Sequence, residues 1–289
     1  LRISPDGRYV AFETGPRSAV LTKIVSLDPP AKSVAEVQGA GFIFSPSANG
    51  AAYLRIKPTP EIAALRTEIE RISAQAATDR AAQMALQRRL TWLEAQAAEI
   101  VVVDLAAKKE RIFKAEGYLK GALAWSSDGR EVYFAGAREA DEASNEIYAV
   151  SEKGTVRPLT SGPGFKTSPL AAAGGKYLIY TAAPTTPFPR PQPDARPAAA
   201  GQAGAPAAKA QPQAGAGGAR GGIGGGVGRP FFVLNLADGA AKSFTGSSPA
   251  LSADGSTIVF TAPEGQGSTV NLLKLDGPLT PSVIKKSAE

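Results

Sequence analysis

Short runs of alternating apolar and polar residues recur along the chain, and each is followed closely by a tight turn and a second alternating run. Alternation with a period of two is typical of β-strands that bury one face. Asp-Gly between two such runs favours a hairpin, because a two-residue hairpin turn needs central residues that tolerate positive φ. The predicted turn residues are Asp6 and Gly7, Asn49 and Gly50, Asp128 and Gly129, Gly174 and Gly175, and Asp254 and Gly255.

A third extended run follows each hairpin, at residues 21–28, 100–105, 146–150, 231–236 and 270–275, and most units then show a short fourth run, as at 156–160. Two of the four steps between turns are about twice as long as the others, and each long step contains a segment of foreign composition. Without these segments the period is about 40 to 45 residues, which is that of a four-stranded propeller blade. The sequence therefore predicts an all-β fold: one β-propeller domain over residues 1–289, with five antiparallel blades. Five units could form a complete ring or part of a ring of six to eight blades.

The repeat resembles that of a known family. Residues 4–12, Ser-Pro-Asp-Gly-Arg-Tyr-Val-Ala-Phe, with 145–150 and 157–160 further on, look like the TolB-type propeller repeat. That repeat also builds the N-terminal propeller of prolyl oligopeptidase family serine peptidases. The resemblance covers nearly all of the chain outside the two foreign segments, and it implies a fold rather than a function. A WD-type repeat fits less well, since the chain has no Trp-Asp dipeptide and no histidine.

The first foreign segment, residues 58–98 within blade 2, predicts a helical hairpin. Thr59 can cap a helix, Pro60 suits its first turn, and heptad-spaced apolar residues follow. A single straight helix would separate its ends by about 58 Å, whereas its flanking strands should lie about 5 Å apart. We therefore expect a turn near residues 77–80, with Thr78 or Asp79 capping the second helix. The hairpin is either an arm that docks a partner or covers a cavity, or a decoration packed only on itself. We expect the propeller to stay folded when residues 60–97 are replaced by a short Gly-Ser bridge.

The second foreign segment, residues 184–229 within blade 4, is dominated by Pro, Ala, Gly and Gln. Such a composition cannot offset the entropy of ordering by apolar burial, so it predicts a disordered loop. Most of the chain's net charge of +6 lies in this loop. The charge therefore indicates a solvated basic linker, and we expect no nucleic-acid partner.

The residues needed for hydrolytic chemistry are missing. The chain contains no histidine and no cysteine, so it cannot assemble a Ser-His-Asp triad, a Cys-His pair or a histidine metal site. It has no Gly-x-Ser-x-Gly motif either. We expect no catalytic residue, no cofactor and no metal in this chain, so a peptidase parent would carry its catalytic domain elsewhere. Dipeptidyl peptidases of the resembled family bind the substrate amino terminus with a Glu-Glu pair, which is absent here.

Three of the turn residues admit a second interpretation. Symmetry would place Asp6, Asp128 and Asp254 on one rim, where carboxylates serve glycosidases or calcium sites. The other two units have Asn49 and Gly174 instead, so such a ring would be incomplete. Turn formation accounts for all three aspartates, and we interpret Trp92 and Trp125 as packing residues.

These observations predict a non-catalytic propeller that gates substrate access in a prolyl oligopeptidase family peptidase. The alternative is a TolB-like propeller that binds proteins in the cell envelope, and a five-bladed glycosidase is a third reading. The expected partners are a peptidase domain in cis, or proteins bound through a propeller face or the helical arm. No apolar run reaches 18 residues, so we expect no membrane insertion. A periplasmic or secreted location is predicted, and the absence of cysteine leaves a cytoplasmic one open.

Overall fold

The computed structural model describes residues 1–15, 20–47, 49–74, 80–183, 185–188, 190, 230–252, 254–265 and 267–286. These residues form five four-stranded antiparallel sheets, each built from strands that are consecutive in the chain. The all-β propeller architecture predicted from the repeat is thereby confirmed. The predicted turn between the two helices, with Thr78 and Asp79, and nearly all of the low-complexity segment lie outside the described residues.

The first two sheets, which we call blades 1 and 2, occupy the first 113 residues. Blade 1 contains β1 (Arg2–Ile3), β2 (Tyr9–Thr14), β3 (Leu21–Ser26) and β4 (Lys32–Gln38). Blade 2 contains β5 (Ala40–Phe44), β6 (Gly50–Ile56), β7 (Ala98–Asp104) and β8 (Lys109–Phe113). Helices α1 (Pro60–Ser73) and α2 (Arg80–Ala97) lie between β6 and β7.

The remaining three blades follow the same order of strands. Blade 3 contains β9 (Tyr118–Trp125), β10 (Glu131–Arg138), β11 (Asp141–Ser151) and β12 (Val156–Pro158). Blade 4 contains β13 (Phe165–Ala171), a 3-10 turn at Ala173–Gly175, β14 (Tyr177–Ala183), β15 (Phe231–Asn235) and β16 (Ala241–Phe244). Blade 5 contains β17 (Ser247–Leu251), β18 (Thr257–Glu264), β19 (Gly267–Lys274) and β20 (Ser282–Lys286).

Four clusters of buried side chains join consecutive blades. Their largest members are Phe42 and Tyr53 between blades 1 and 2, Phe134 and Tyr148 between blades 2 and 3, Tyr133 and Tyr180 between blades 3 and 4, and Phe231 and Phe260 between blades 4 and 5. Blade 3 is covered on both faces, so β10 is buried at six consecutive positions rather than at every second one. In the described residues no buried cluster joins blade 5 to blade 1, and Phe12 and Val259 on those outer blades are only half-buried.

The helical hairpin leaves and rejoins one continuous pair of strands. Strands β6 and β7 are in register from the Gly50–Asp104 pair to the Ile56–Ala98 pair, so the hairpin projects from their shared end. Thr59 caps α1, since its Oγ1 accepts a hydrogen bond from the Ile62 backbone N–H at 3.2 Å. The seam between the helices buries Ile62, Leu65 and Leu90.

The hairpin does not pack only on itself. Ala95 of α2 is buried in one cluster with Leu119 and Ala137 of blade 3, and Trp92 packs against that cluster. Phe188, near the start of the low-complexity segment, completes the cluster. The idea of a self-contained decoration is therefore wrong: α2 covers apolar surface on blade 3, and deleting residues 60–97 would expose Leu119 and Ala137, which are fully buried.

We expect Trp92→Ala to lower the free energy of unfolding by about 1 to 3 kcal/mol, because the half-buried indole contacts this shared cluster. Met84→Ala is the matched control on the same helix, since the Met84 side chain is 49% exposed. It should change stability by no more than about 0.5 kcal/mol. Urea denaturation of both variants measures the difference, and equal losses would contradict the role of α2 in covering blade 3.

Candidate functional site

The turn that begins each blade has a fixed geometry. In blade 1 the Gly7 N–H donates to the Ser4 carbonyl at 2.9 Å, and the Ser4 N–H donates to the Tyr9 carbonyl at 2.9 Å. Gly7 has a φ of 71°, in the region that favours glycine, whereas Asp6 does not have positive φ. A two-residue hairpin turn would give both Asp6 and Gly7 a positive φ. The observed turn instead spans the four residues from Ser4 to Gly7, and only its last residue, Gly7, is left-handed.

Three further blades repeat this geometry. The left-handed glycine of each donates to a carbonyl three residues earlier: Gly129 to Ser126 at 3.0 Å, Gly175 to Ala172 at 3.3 Å, and Gly255 to Ser252 at 2.8 Å. Blade 4 alone among them has a second positive φ, at Gly174, which occupies the aspartate position. The positive φ at this position favours glycine, which explains why glycine stands in place of aspartate.

Blade 2 departs from the predicted alignment. The Ser45 N–H donates to the Gly50 carbonyl at 2.8 Å, so Gly50 is the equivalent of Tyr9 and not of Gly7. Asn49 is correspondingly the equivalent of Arg8. The aspartate position is held by Ser47, whose hydroxyl lies 3.1 Å from that of Ser45. A dipeptide that suits a hairpin turn therefore lies at the end of the turn instead of its centre.

The three aspartates use their carboxylates inside their own turns. Asp128 Oδ1 accepts hydrogen bonds from the Ser126 hydroxyl at 2.7 Å and the Arg130 N–H at 3.1 Å, and Asp6 and Asp254 repeat the pattern. The serine hydrogen bond lowers the pKa of each carboxyl group, and for Asp254 the added bonds from Ser256 bring the pKa to about 2. The carboxylates therefore stay ionised and engaged at neutral pH, which does not fit a general acid.

We expect Ser126→Ala to lower the free energy of unfolding by about 1 kcal/mol, because its buried hydroxyl joins Asp128 to the Glu131 N–H. Ser127→Ala, one residue further on, is the matched control and should be nearly neutral, since no hydrogen bond of its side chain is recorded in the described structure. Thermal unfolding followed by circular dichroism compares the two. A loss for Ser127→Ala as large as that for Ser126→Ala would argue against the turn role.

The first strands of all five blades line one central cavity of about 420 Å³. Each blade contributes at least one lining residue: in chain order, these include Ile3, Phe44, Trp125, Leu170 and Leu251. The lining is largely apolar, and Arg2 is its one ionisable side chain among the described residues. The indole N–H of Trp125 donates to the Ile43 carbonyl at 3.4 Å, so this residue holds two blades together. The cavity thus offers an apolar surface, and its described lining residues provide no acid–base pair.

The two insertions meet at one end of the propeller. Each leaves its blade between the second and third strands, so both emerge at the same end as the β10–β11 hairpin of blade 3. The Arg190 guanidinium lies 5.7 Å from the centre of the Trp92 ring, and the Gln96 amide donates to Glu139 on that hairpin at 3.3 Å. Residues nearly one hundred positions apart are therefore adjacent, which no local sequence signal could have indicated.

A buried ion pair connects blades 3 and 4. The Lys166 ammonium lies 2.9 Å from a carboxylate oxygen of Glu146, and their side chains are only 4% and 8% exposed. Thr160 donates to the other carboxylate oxygen at 2.5 Å. The ammonium also donates to the carbonyl oxygens of Gly162, Pro163 and Gly164. Because every charged atom has partners, the pair is a structural clamp, and no motif in the sequence indicates it.

No model of a known protein family matches this chain, and no curated protein matches it. Several solved structures, however, have a similar fold. TolB from Acinetobacter baumannii superposes with a TM-score of 0.53 at 14% identity, over 99% of this chain and 53% of that one. The fold is a TolB-type β-propeller.

Two enzymes contain a similar propeller. An oligogalacturonate lyase in complex with manganese superposes with a TM-score of 0.55 at 11% identity, over 99% of this chain and 64% of that one. The tricorn protease superposes with a TM-score of 0.54 at 11% identity, over 98% of this chain and 26% of that one. The chain thus spans about half of the TolB structure and about two thirds of the oligogalacturonate lyase. At these sequence identities the similarity concerns the fold alone.

Two further observations concern metals and membranes. In the part of the chain that the structure describes, no group of three or more Asp and Glu side chains is arranged to hold a metal ion. Within the same residues, neither helix is both long and apolar enough to span a bilayer.

Proposed function

We propose that this propeller is a non-catalytic domain that limits substrate access in a prolyl oligopeptidase family serine peptidase whose catalytic domain lies outside the chain. The observation that carries the proposal is the central cavity ringed by the first strands of all five blades. A cavity of about 420 Å³ is large enough for a short peptide segment but not for a folded domain. Because the chain has no histidine, hydrolysis by a Ser-His-Asp triad must come from another domain.

The position of the insertions supports this proposal. Both leave the blades at one end of the propeller, so the end formed by the Asp-Gly turns carries only short connections. That end can therefore face a second domain, while the insertion end faces solvent. The tricorn protease, which is named as a protease, contains a propeller of this fold, so the combination with peptidase activity has a precedent at the level of fold.

The coding sequence downstream of Glu289 is the first test. We expect it to encode an α/β domain with Gly-x-Ser-x-Gly, followed by an aspartate and a histidine. A stop codon shortly after Glu289 would contradict the peptidase proposal. The purified chain alone should hydrolyse no peptide, and turnover that disappears on mutating one of its serines would also contradict it.

The cavity itself is tested in the full-length protein. Leu170→Trp adds bulk to the cavity lining and should reduce kcat/KM for a short peptide at least several-fold. Leu27→Trp is the control, because Leu27 is 48% exposed and does not line the cavity. If Leu170→Trp leaves kcat/KM unchanged while the protein stays folded, substrates do not pass through the propeller.

A second proposal is a TolB-like propeller that binds other proteins in the cell envelope, with a periplasmic or secreted location. The similarity of the fold to TolB supports it, as does the helical hairpin, which projects from blade 2. Cell fractionation of the full-length protein tests the location. Recovery in the periplasm without a catalytic domain downstream would favour this proposal, and recovery in the cytoplasm would exclude it.

A further inference from the structure

A second cavity, of about 500 Å³, lies under the C-terminal end of α2, between blades 2 and 3. It is distinct from the central cavity and shares no lining residue with it. Its ionisable lining residues are Lys57, Glu99, Lys114, Glu116, Lys120 and Glu139. Equal numbers of amines and carboxylates therefore surround a space large enough for a small molecule.

Lys120 is the buried member of this group. The residue is 8% exposed, and its ammonium donates one hydrogen bond, to the Tyr118 carbonyl at 2.6 Å. An ammonium has three N–H donors. In the described residues no other acceptor reaches it, and no carboxylate oxygen lies within 4 Å of it. Buried polar groups are nearly always hydrogen-bonded, so the two remaining donors take acceptors from within the cavity, either water or a bound ligand.

Two of the three neighbouring carboxylates, Glu99 and Glu139, have partners of their own. Glu99 forms ion pairs with Lys57 at 2.8 Å and Arg55 at 3.4 Å, and Glu139 accepts a hydrogen bond from the Gln96 amide. Burial lowers the pKa of Lys120, and the charges of Glu139 and Glu99 offset part of that effect from a distance. The fold thus keeps an ammonium at the wall of a cavity without giving it a counter-ion in contact.

We propose that this cavity binds a small organic carboxylate, with the carboxylate group on the Lys120 ammonium. A carboxylate supplies two acceptor oxygens and one negative charge, which suits the two unused donors of a buried ammonium that has no counter-ion in contact. A neutral ligand would satisfy the donors but leave the buried charge without a counter-ion. The carboxylate can belong to a free organic acid or to the C-terminus of a short peptide, since both present the same group.

Nuclear magnetic resonance titration of the isotope-labelled chain tests the proposal with three probes: acetate, alanyl-alanine and alanyl-alaninamide. We expect the two carboxylates to shift backbone amide signals at residues 97–100, at Gly117 and at Lys120, which line the cavity. The amidated peptide should not shift them. Affinity for alanyl-alanine at least tenfold above that for acetate identifies a peptide terminus as the ligand, and equal affinities identify a free organic acid.

Lys120→Met keeps the length of the side chain and removes the charge, and it should abolish these shifts. Lys32→Met is the control: Lys32 is exposed on blade 1 and does not line the cavity, so the shifts should persist. The proposal is overturned if neither carboxylate shifts the cavity amides, if alanyl-alaninamide binds as well as alanyl-alanine, or if the shifts survive in Lys120→Met. The amide spectrum of each variant before titration verifies that it is folded.

Discussion

Lys166→Met is expected to lower the free energy of unfolding by about 3 to 5 kcal/mol, which is the usual cost of removing one partner of a buried ion pair. The substitution leaves the Glu146 carboxylate charged in a site where its side chain is 8% exposed. It also removes the donor that the carbonyl groups of Gly162, Pro163 and Gly164 share. Urea denaturation followed by fluorescence and circular dichroism measures the loss.

Two control variants separate burial from charge. Arg111→Met breaks an exposed ion pair with Glu152 of similar length, 2.8 Å, and should cost no more than about 1 kcal/mol. The double variant Lys166→Met, Glu146→Leu removes both buried charges, so it should be more stable than Lys166→Met alone. A single substitution at Lys166 that costs as little as Arg111→Met would show that water reaches the buried pair.

Phe231→Ala is expected to lower the free energy of unfolding by about 3 to 5 kcal/mol, as large core truncations do. The side chain is fully buried between blades 4 and 5, with its ring 5.3 Å from that of Phe244 and 4.9 Å from that of Phe260. Its removal leaves a cavity between two rigid sheets, which cannot close over it easily. The expected result is a lower urea midpoint with the native far-ultraviolet spectrum retained in water.

Phe12→Ala is the control for this prediction. Phe12 is also a phenylalanine in a blade strand, but it is only half-buried, on an outer blade. Its truncation should cost less than half as much, because the side chain already contacts solvent in the folded state. Equal losses for the two variants would indicate that blade 1 is covered by further structure on its outer face.

The repeat could be predicted because its causes are local. The serine hydroxyl, the aspartate carboxylate and the left-handed glycine of each turn lie within six residues of one another, so the motif Ser-x-Asp-Gly specifies the turn by itself. The helix start at Thr59 is equally local. Blade 2 shows the limit of such reasoning, since Asn49 and Gly50 suggest a turn centre, whereas the hydrogen bonds of Ser45 place them at its end.

The cavities and the clamp could not be predicted, because they depend on residues far apart in the chain. Lys120 appears in the sequence as one lysine of an ordinary strand, and it becomes a buried ammonium only when α2 packs across blade 3. The pair of Glu146 with Lys166 likewise requires that two blades meet. Charge and spacing alone do not tell a solvated lysine from a buried one.

The four-stranded blades, the places where two insertions interrupt them and the absence of a Ser-His-Asp triad all follow from the amino-acid sequence. Turns and strand alternation arise within short segments, and the triad is excluded by composition, so none of these depends on how the blades pack. Which surfaces are covered depends on the assembled fold: the packing of α2 on blade 3, the central cavity shared by five first strands, and the desolvated amine of Lys120. Burial depends on what packs against a residue from elsewhere in the chain, and only the assembled blades provide that.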